Sequence, residues 1–257
     1  MSRFGLIGNP ILHSKSPSLF KAAYGNSHHT YSLFETQTVT EAIDLFERED
    51  IAGVNVTSPF KDEVMDFVTL PDRISSILGS ANVLIKGEKE GEILSYNTDY
   101  YGVRRSVEAL LDGPKYKGKV AVIGAGGAGK AAALAMRDMG FEVTILNRSS
   151  GKVKEFAGKI GALYLPLEKL SDSISDSDII IYALSFLLPG MESMDFRGKI
   201  IFEANYLSPS LSWVDNVESA NYIDGRYWLY NQAIPAFELF TGEEPNTLEM
   251  RKVMGIE

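Results

Sequence analysis

Short apolar runs alternate with amphipathic stretches along most of the chain. Phe4–Ile7, Tyr31–Glu35 and Gly53–Thr57 read as strands. Between them, Pro17 to about Tyr24 puts Leu19, Phe20, Ala23 and Tyr24 on one helical face. A second helix, running to about Glu49, does the same with Ala42, Ile43, Leu45 and Phe46. Ser16 and Thr40 are the expected caps, and Pro17 suits a first helical position. Helical spacing continues at Phe60, Val64, Phe67 and Val68, and Pro71–Leu78 predicts another short helix. Ala81–Ile85 and Glu92–Tyr96 predict a hairpin turning through Lys86–Gly91. Asn97-Thr98-Asp99 then opens a helix to Leu111, with Val103, Val107, Leu110 and Leu111 inward. Asp112-Gly113-Pro114 breaks it.

The second half repeats the alternation. Lys119–Ile123 is a short buried strand, followed by Gly124, Ala125, Gly126, Gly127, Ala128 and Gly129, then the Ala-rich Ala131–Met139. Strand, glycine turn and helix in that order predict a dinucleotide site; a plain strand-to-helix turn, for which one glycine would suffice, is the blander reading. The glycines admit a pyrophosphate, and the helix N-terminus offers free N–H groups and a positive dipole end. Phe141–Leu146, Ser177–Ala183, Lys199–Glu203 and Tyr222–Asp224 follow as strands and Lys152–Ile160 as a helix, a Rossmann-like series. Leu229–Thr241 and Thr247–Ile256 close the chain as helices. The predicted class is α/β: an N-terminal α/β domain with a mostly parallel sheet, then a Rossmann-like dinucleotide-binding domain. The boundaries expected are 1–100 and 101–228, with the helices of 229–257 returning to the first domain.

Composition narrows the chemistry. The chain has 257 residues, 45% hydrophobic and 23% charged, enough for one large or two modest domains of ordinary soluble type. A net charge of -9 with no basic stripe argues against a nucleic-acid partner. Absence of cysteine excludes disulfides, thiolate catalysis and Cys-ligated metals, and suits the cytoplasm. Three histidines, two of them adjacent, give no metal-ligand spacing, and no GxSxG nucleophile elbow occurs. The opening MSRFGLIGNP does not read as a signal peptide. Ile179–Leu188, the longest apolar run, is far too short for a membrane span.

After the second Rossmann strand comes Asn147-Arg148-Ser149, where an NAD site would carry a carboxylate. Arg148, helped by Lys152, could hold a 2′-phosphate by paired charge-assisted bonds, which favours NADP; a solvated loop arginine is the plainer reading. In the first half, Ser14, Ser16, Asn55, Thr57, Lys61, Asn82, Asn97 and Asp99 all fall near strand ends, where open α/β sheets bind ligands. Singly, each has a bland explanation. Ser16 suits a helix cap, as does Asp99 or Thr98, and a lone Lys61 in a helix's first turn is usually a solvated charge.

Six ordered motifs together resemble the shikimate dehydrogenase family: GNPILHSKSPS (Gly8–Ser18), NVTSPFK (Asn55–Lys61), GSAN (Gly79–Asn82), NTDYYG (Asn97–Gly102), GAGGAGKA (Gly124–Ala131) and NRS (Asn147–Ser149). Gln232 in LYNQAIPAFELFTG resembles the family's last motif. The resemblance implies reduction of 3-dehydroshikimate to shikimate, usually with NADPH, on the route to aromatic amino acids. It implies a substrate domain, a Rossmann domain and a C-terminal helix rejoining the first. It makes Ser14 and Ser16 the carboxylate binders. Thr57, Lys61, Asn82, Asp99 and Gln232 become the ring-hydroxyl shell, Tyr206 a substrate contact, and Lys61 with Asp99 the catalytic pair. Hydride addition to a ketone builds negative charge on oxygen, and a lysine ammonium can stabilise that charge and supply the proton.

Three positions depart from the family pattern. Tyr182-Ala183-Leu184-Ser185-Phe186-Leu187 replaces Asn-Ala-Thr-x-x-Gly. Glu203-Ala204-Asn205-Tyr206-Leu207-Ser208 replaces Asp-Met-x-Tyr-x-Pro, and Trp228 stands where Met is common. The departures keep two other readings in view: an NAD-using quinate/shikimate paralogue, and a non-catalytic sensor of the same fold. The expected partner is a small-molecule substrate, with no nucleic acid and no membrane, and a monomer or homodimer as the working form.

Overall fold

The computed structural model describes residues 2–25, 28–48, 50–111, 117–212, 214 and 221–256. It divides into two compact units, one made of residues 1–101 with 230–257 and the other of 102–229. The expected break at Asp112–Pro114, and Glu49 at the end of the second helix, lie outside the described residues.

The first unit opens with β1 (Arg3–Gly8), α1 (Ser16–Tyr24), β2 (Thr30–Glu35), α2 (Val39–Phe46) and β3 (Ile51–Val56). Next come β4 (Leu70–Pro71), α3 (Arg73–Leu78), β5 (Val83–Lys86) and β6 (Ile93–Tyr96). They form one six-stranded sheet in the order β2-β1-β3-β5-β6-β4. β1 runs parallel to β2 and β3, and β5 is antiparallel to both β3 and β6, so one hairpin interrupts a mostly parallel sheet. β1 and β3 are buried on both faces, which explains their near-continuous apolar sequence. On one face Ile43, Phe46, Val54, Val56, Phe60, Val64 and Leu84 form a core cluster.

The chain passes to the second unit within α4 (Asp99–Glu108). There, β7 (Lys119–Ile123), α5 (Gly127–Asp138), β8 (Glu142–Leu146), α6 (Gly151–Ile160), β9 (Leu163–Leu165) and α7 (Leu170–Asp176) lead to β10 (Ile179–Tyr182), β11 (Ile200–Glu203) and β12 (Asn221–Ile223). All six strands are parallel, in the order β12-β11-β10-β7-β8-β9. Read by position this is 6-5-4-1-2-3, the doubly wound dinucleotide-fold order. The chain returns to the first unit within α8 (Gly225–Thr241) and ends with α9 (Thr247–Met254). α9 packs on α1, and Asn246 N–H donates to Ala23 O at 3.1 Å. Phe240 stacks on Phe4 at 4.8 Å and covers Gly53 of β3, where an added Cβ would lie 2.7 Å from its ring.

Several local expectations change. α2 is capped by Thr38, whose Oγ1 accepts from Glu41 N–H at 3.2 Å, and not by Thr40. Glu41 reaches back to Gln37 N–H at 2.8 Å, a Thr-x-x-Glu pairing visible in the sequence. Ser16 is the first residue of α1 and caps nothing. The helix expected over 60–68 is only a 3₁₀ segment, Glu63–Phe67. The cause is Lys61 O, which accepts from Ala81 N–H at 2.8 Å; Met65 N–H turns instead to Asp62 O, three residues back. Leu110, expected inward, is exposed, whereas Val103 and Val107 are buried. β9 and α7 were not foreseen.

Tyr24 packs among Phe4, Phe20, His29 and Phe237, and its buried hydroxyl has no partner among the described residues. Burial pushes its phenol pKa well up. An unpaired buried hydroxyl costs free energy, so Tyr24→Phe is expected to stabilise the protein by about 1 kcal/mol. A higher urea midpoint at unchanged slope is the expected result; a lower midpoint would show that the hydroxyl is satisfied.

Candidate active site

Lys61 and Asp99 arrive from different parts of the sheet. β3 ends at Val56, and Thr57 N–H donates to Ile7 O at 2.9 Å, so Thr57 stays in register beside β1. The turn through Pro59 then delivers Lys61, which lies before the 3₁₀ segment and not in the first turn of an α-helix. Asp99 begins α4, three residues beyond the end of β6. Lys61 Nζ donates to Asp99 Oδ2 at 2.6 Å, with the side chains 20% and 11% exposed. Such a pair is shielded enough to fix its geometry, yet the ammonium retains protons to offer elsewhere.

Asn82 is held by the sheet: its N–H donates to Tyr96 O and its carbonyl accepts from Val56 N–H. Its side chain makes a closed set of bonds. Oδ1 accepts from Thr98 N–H at 2.7 Å, and Nδ2 donates to Thr98 Oγ1 at 3.0 Å and to Gln232 Oε1 at 3.2 Å. Thr98 Oγ1 also donates to Gln232 Oε1 at 3.0 Å. With Oε1 doubly engaged, Gln232 keeps its amide N–H groups for another acceptor. Asn55 Nδ2 donates to Asn82 O at 3.2 Å, and Tyr31 Oη donates to Asn55 Oδ1 at 2.8 Å. Burial raises the Tyr31 phenol pKa well above the usual range, and the Tyr24 phenol adds to that. Ser14 Oγ, 3.1 Å from Ser16 Oγ, accepts from Ser16 N–H at 3.2 Å. Hydrogen bonds therefore link Tyr31 through Asn55 to Asn82, Thr98 and Gln232, while the two serines bond each other. Thr57 lies against Gly8, where an added Cβ would come within 2.3 Å of its Cγ2.

Locally, Thr98 reads only as a helix cap and Tyr31 only as a strand residue. Their side-chain partners lie 134 and 24 positions away, beyond the reach of any local pattern. Asn97 turns to Ser80, with Nδ2 donating to its carbonyl oxygen at 3.0 Å.

In the second unit the glycines divide the work at the end of β7. Gly124 has φ +95° and makes the tight turn. Gly126, the N-cap of α5, has open space where a Cβ would be, and α5 begins without a side-chain cap. Gly129 lets the helix pack closely, since an added Cβ would fall 1.9 Å from Gly124 O. This cradle, with unclaimed N–H groups at a helix N-terminus, fits a dinucleotide pyrophosphate. Gly127 and Ala128 form the first turn of α5. Asn147 Oδ1 accepts from Ala125 N–H at 3.1 Å, and its Nδ2 donates to Ser149 Oγ at 3.1 Å, so this amide braces the turn. Arg148 and Lys152 are exposed, and no carboxylate follows β8 within this Asn-Arg-Ser turn.

Residues 6–84 match the family described as shikimate dehydrogenase substrate binding domain, and residues 108–196 that described as shikimate / quinate 5-dehydrogenase. A shikimate dehydrogenase (NADP(+)) of Natronomonas pharaonis is 34% identical, covering 95% of this chain and 94% of its own. That of Pyrococcus furiosus is also 34% identical, covering 97% and 94%. The chain belongs to the shikimate dehydrogenase family. A crystal structure of a shikimate dehydrogenase in complex with NADP+ superposes with a TM-score of 0.87 at 26% identity, covering 99% of this chain and 94% of that one.

The three departures from the shikimate dehydrogenase pattern each have a structural setting. Tyr182 is fully buried; its hydroxyl donates to Phe186 O at 2.8 Å and accepts from Leu188 N–H at 2.9 Å. The Glu203 carboxylate, also fully buried, accepts from Ser210 N–H, from Leu211 N–H at 3.1 Å and from Tyr222 Oη at 2.7 Å. Burial and that carboxylate together push the Tyr222 phenol well up. Glu203 thereby staples the loop carrying Tyr206, which is half-buried in the second unit. Trp228 is buried against Phe202, ring centroids 5.2 Å apart. Among the described residues no cluster could hold a metal ion, and no helix is long and apolar enough to cross a membrane.

Proposed function

We propose that this protein reduces 3-dehydroshikimate to shikimate with NADPH, in aromatic amino acid biosynthesis, using Lys61 and Asp99 as its acid–base pair. The observation that carries the reading is the 2.6 Å Lys61–Asp99 bond, in a unit where Tyr31, Asn55, Asn82, Thr98 and Gln232 are linked by hydrogen bonds. The first unit binds substrate. Ser14 and Ser16 take the carboxylate through neutral hydroxyl donors. Thr57, Asn82 and Gln232 take the ring oxygens, Gln232 through the amide N–H groups that its engaged oxygen leaves over. Tyr206 is a further substrate contact.

NADPH supplies the hydride. Lys61 stabilises the developing negative charge on the carbonyl oxygen and donates a proton to it, while Asp99 orients the ammonium. Gly124 to Gly129 hold the pyrophosphate by backbone N–H groups. Arg148, with Ser149 and Lys152, receives the 2′-phosphate that distinguishes NADP from NAD; Asn147 keeps the turn in shape. The protein works in the cytoplasm as a monomer or homodimer, apart from membranes and nucleic acid, and its net charge of -9 supports the last point.

Purified protein should reduce NADP+ with shikimate, followed at the nicotinamide absorbance, and should be slower with NAD+ or with quinate in a two-by-two assay. No turnover in any of the four combinations would reject the enzymatic reading.

A further inference from the structure

β7 and β10 are neighbours in the second sheet, and the chain leaves them in opposite directions, toward β8 and toward β11. At such a switch point an open parallel sheet has a crevice beyond the carboxyl ends of its strands. One wall here is the Gly124–Gly129 turn. The other is the segment after β10, Ala183–Leu188, and the two walls touch. A Cβ on Gly124 would lie 2.7 Å from Leu184 Cδ2, and one on Gly129 would lie 3.4 Å from Ala183 Cβ.

The shape of the second wall depends on one phenol. Tyr182 bonds Phe186 O and Leu188 N–H, groups four and six residues ahead, so its hydroxyl closes the segment into a loop. Burial pushes that phenol up to about 12, which keeps it a donor throughout the neutral range. Phe186 is left largely exposed at the rim, and Leu184 rests on the glycine turn.

We propose that Tyr182 is a positioning residue for the dinucleotide, holding Leu184 and Phe186 as a preformed apolar wall opposite the glycine turn. The proposal rests on the reading that NADP binds at that turn. A loop already closed loses little freedom when the ligand arrives, whereas an open one must be ordered at the expense of affinity. Phe at 182 fills the same space and removes only the two bonds. Phe186 O and Leu188 N–H then lose their partner, and the loop gains alternative conformations.

The test is direct NADP+ binding by calorimetry to the whole protein, wild type against Tyr182→Phe, with hydrogen exchange over 184–188. Tyr182→Phe should weaken NADP+ about tenfold, raise KM for NADP+ by a similar factor at little change in kcat, and speed exchange at Leu188. Ser177→Ala is the control: it deletes a 2.7 Å bond from a buried hydroxyl to Ser173 O at the other end of β10, so it should lose stability without losing NADP+ affinity. NADP+ affinity of Tyr182→Phe within about twofold of wild type, or an equal loss in Ser177→Ala, would overturn the positioning role. Wild-type protein that gives no NADP+ binding would instead overturn the cofactor reading, and this proposal with it.

Discussion

Lys61→Met lowers kcat for shikimate oxidation by about 10²–10⁴-fold, the usual worth of a general acid–base group, while shikimate still binds. Methionine keeps the length and the apolar stem of lysine and removes its charge and protons. The Asp99 carboxylate, 11% exposed, loses its 2.6 Å partner, so some thermal stability falls as well. Normalising to folded protein separates the two effects, because unfolding lowers apparent kcat through the amount of active enzyme and leaves KM unchanged. Steady-state kinetics with shikimate and NADP+, normalised to folded protein, provides the measurement. A kcat within about threefold of wild type would reduce Lys61 to a structural ion pair, since acid–base catalysis is worth far more than that.

Arg148→Ala should raise KM for NADP+ by about 10- to 100-fold and leave KM for NAD+ nearly unchanged. The estimate follows from losing the equivalent of one hydrogen bond between charged groups, worth about 1.5–3 kcal/mol. Arg148 is exposed, so salt screens the interaction, and the loss should shrink as ionic strength rises. The check is kcat/KM for both cofactors at low and high salt. Equal losses with NADP+ and NAD+ would mean that Arg148 supports the turn and does not read the 2′-phosphate.

Features written locally were the ones legible in the sequence. The glycine turn, the apolar strands on both sides and the Asn-Arg-Ser turn each lie within a few residues, and each has the expected setting in the second unit. Lys61 and Asp99 were singled out by motif, and their 2.6 Å bond is formed across 38 positions. What escaped was set by distant partners. The helix expected over 60–68 fails because Ala81 takes the Lys61 carbonyl. Thr98 looked like a cap, and its hydroxyl instead meets Gln232 on the penultimate helix. Thr38 was the exception: its Thr-x-x-Glu signal lay in plain view, and Thr40 was preferred.

The interleaved first unit also dictates an order of assembly during synthesis. Phe240, which covers Gly53 in the middle of its sheet, leaves the ribosome some 190 residues after the strand it protects. The continuous segment 102–229 completes its last strand at Ile223, ahead of Phe240, and can mature first. The earliest sheet to be translated is thus the last to be sealed, and a nascent chain stalled before residue 230 would bear an uncovered apolar face that chaperones recognise.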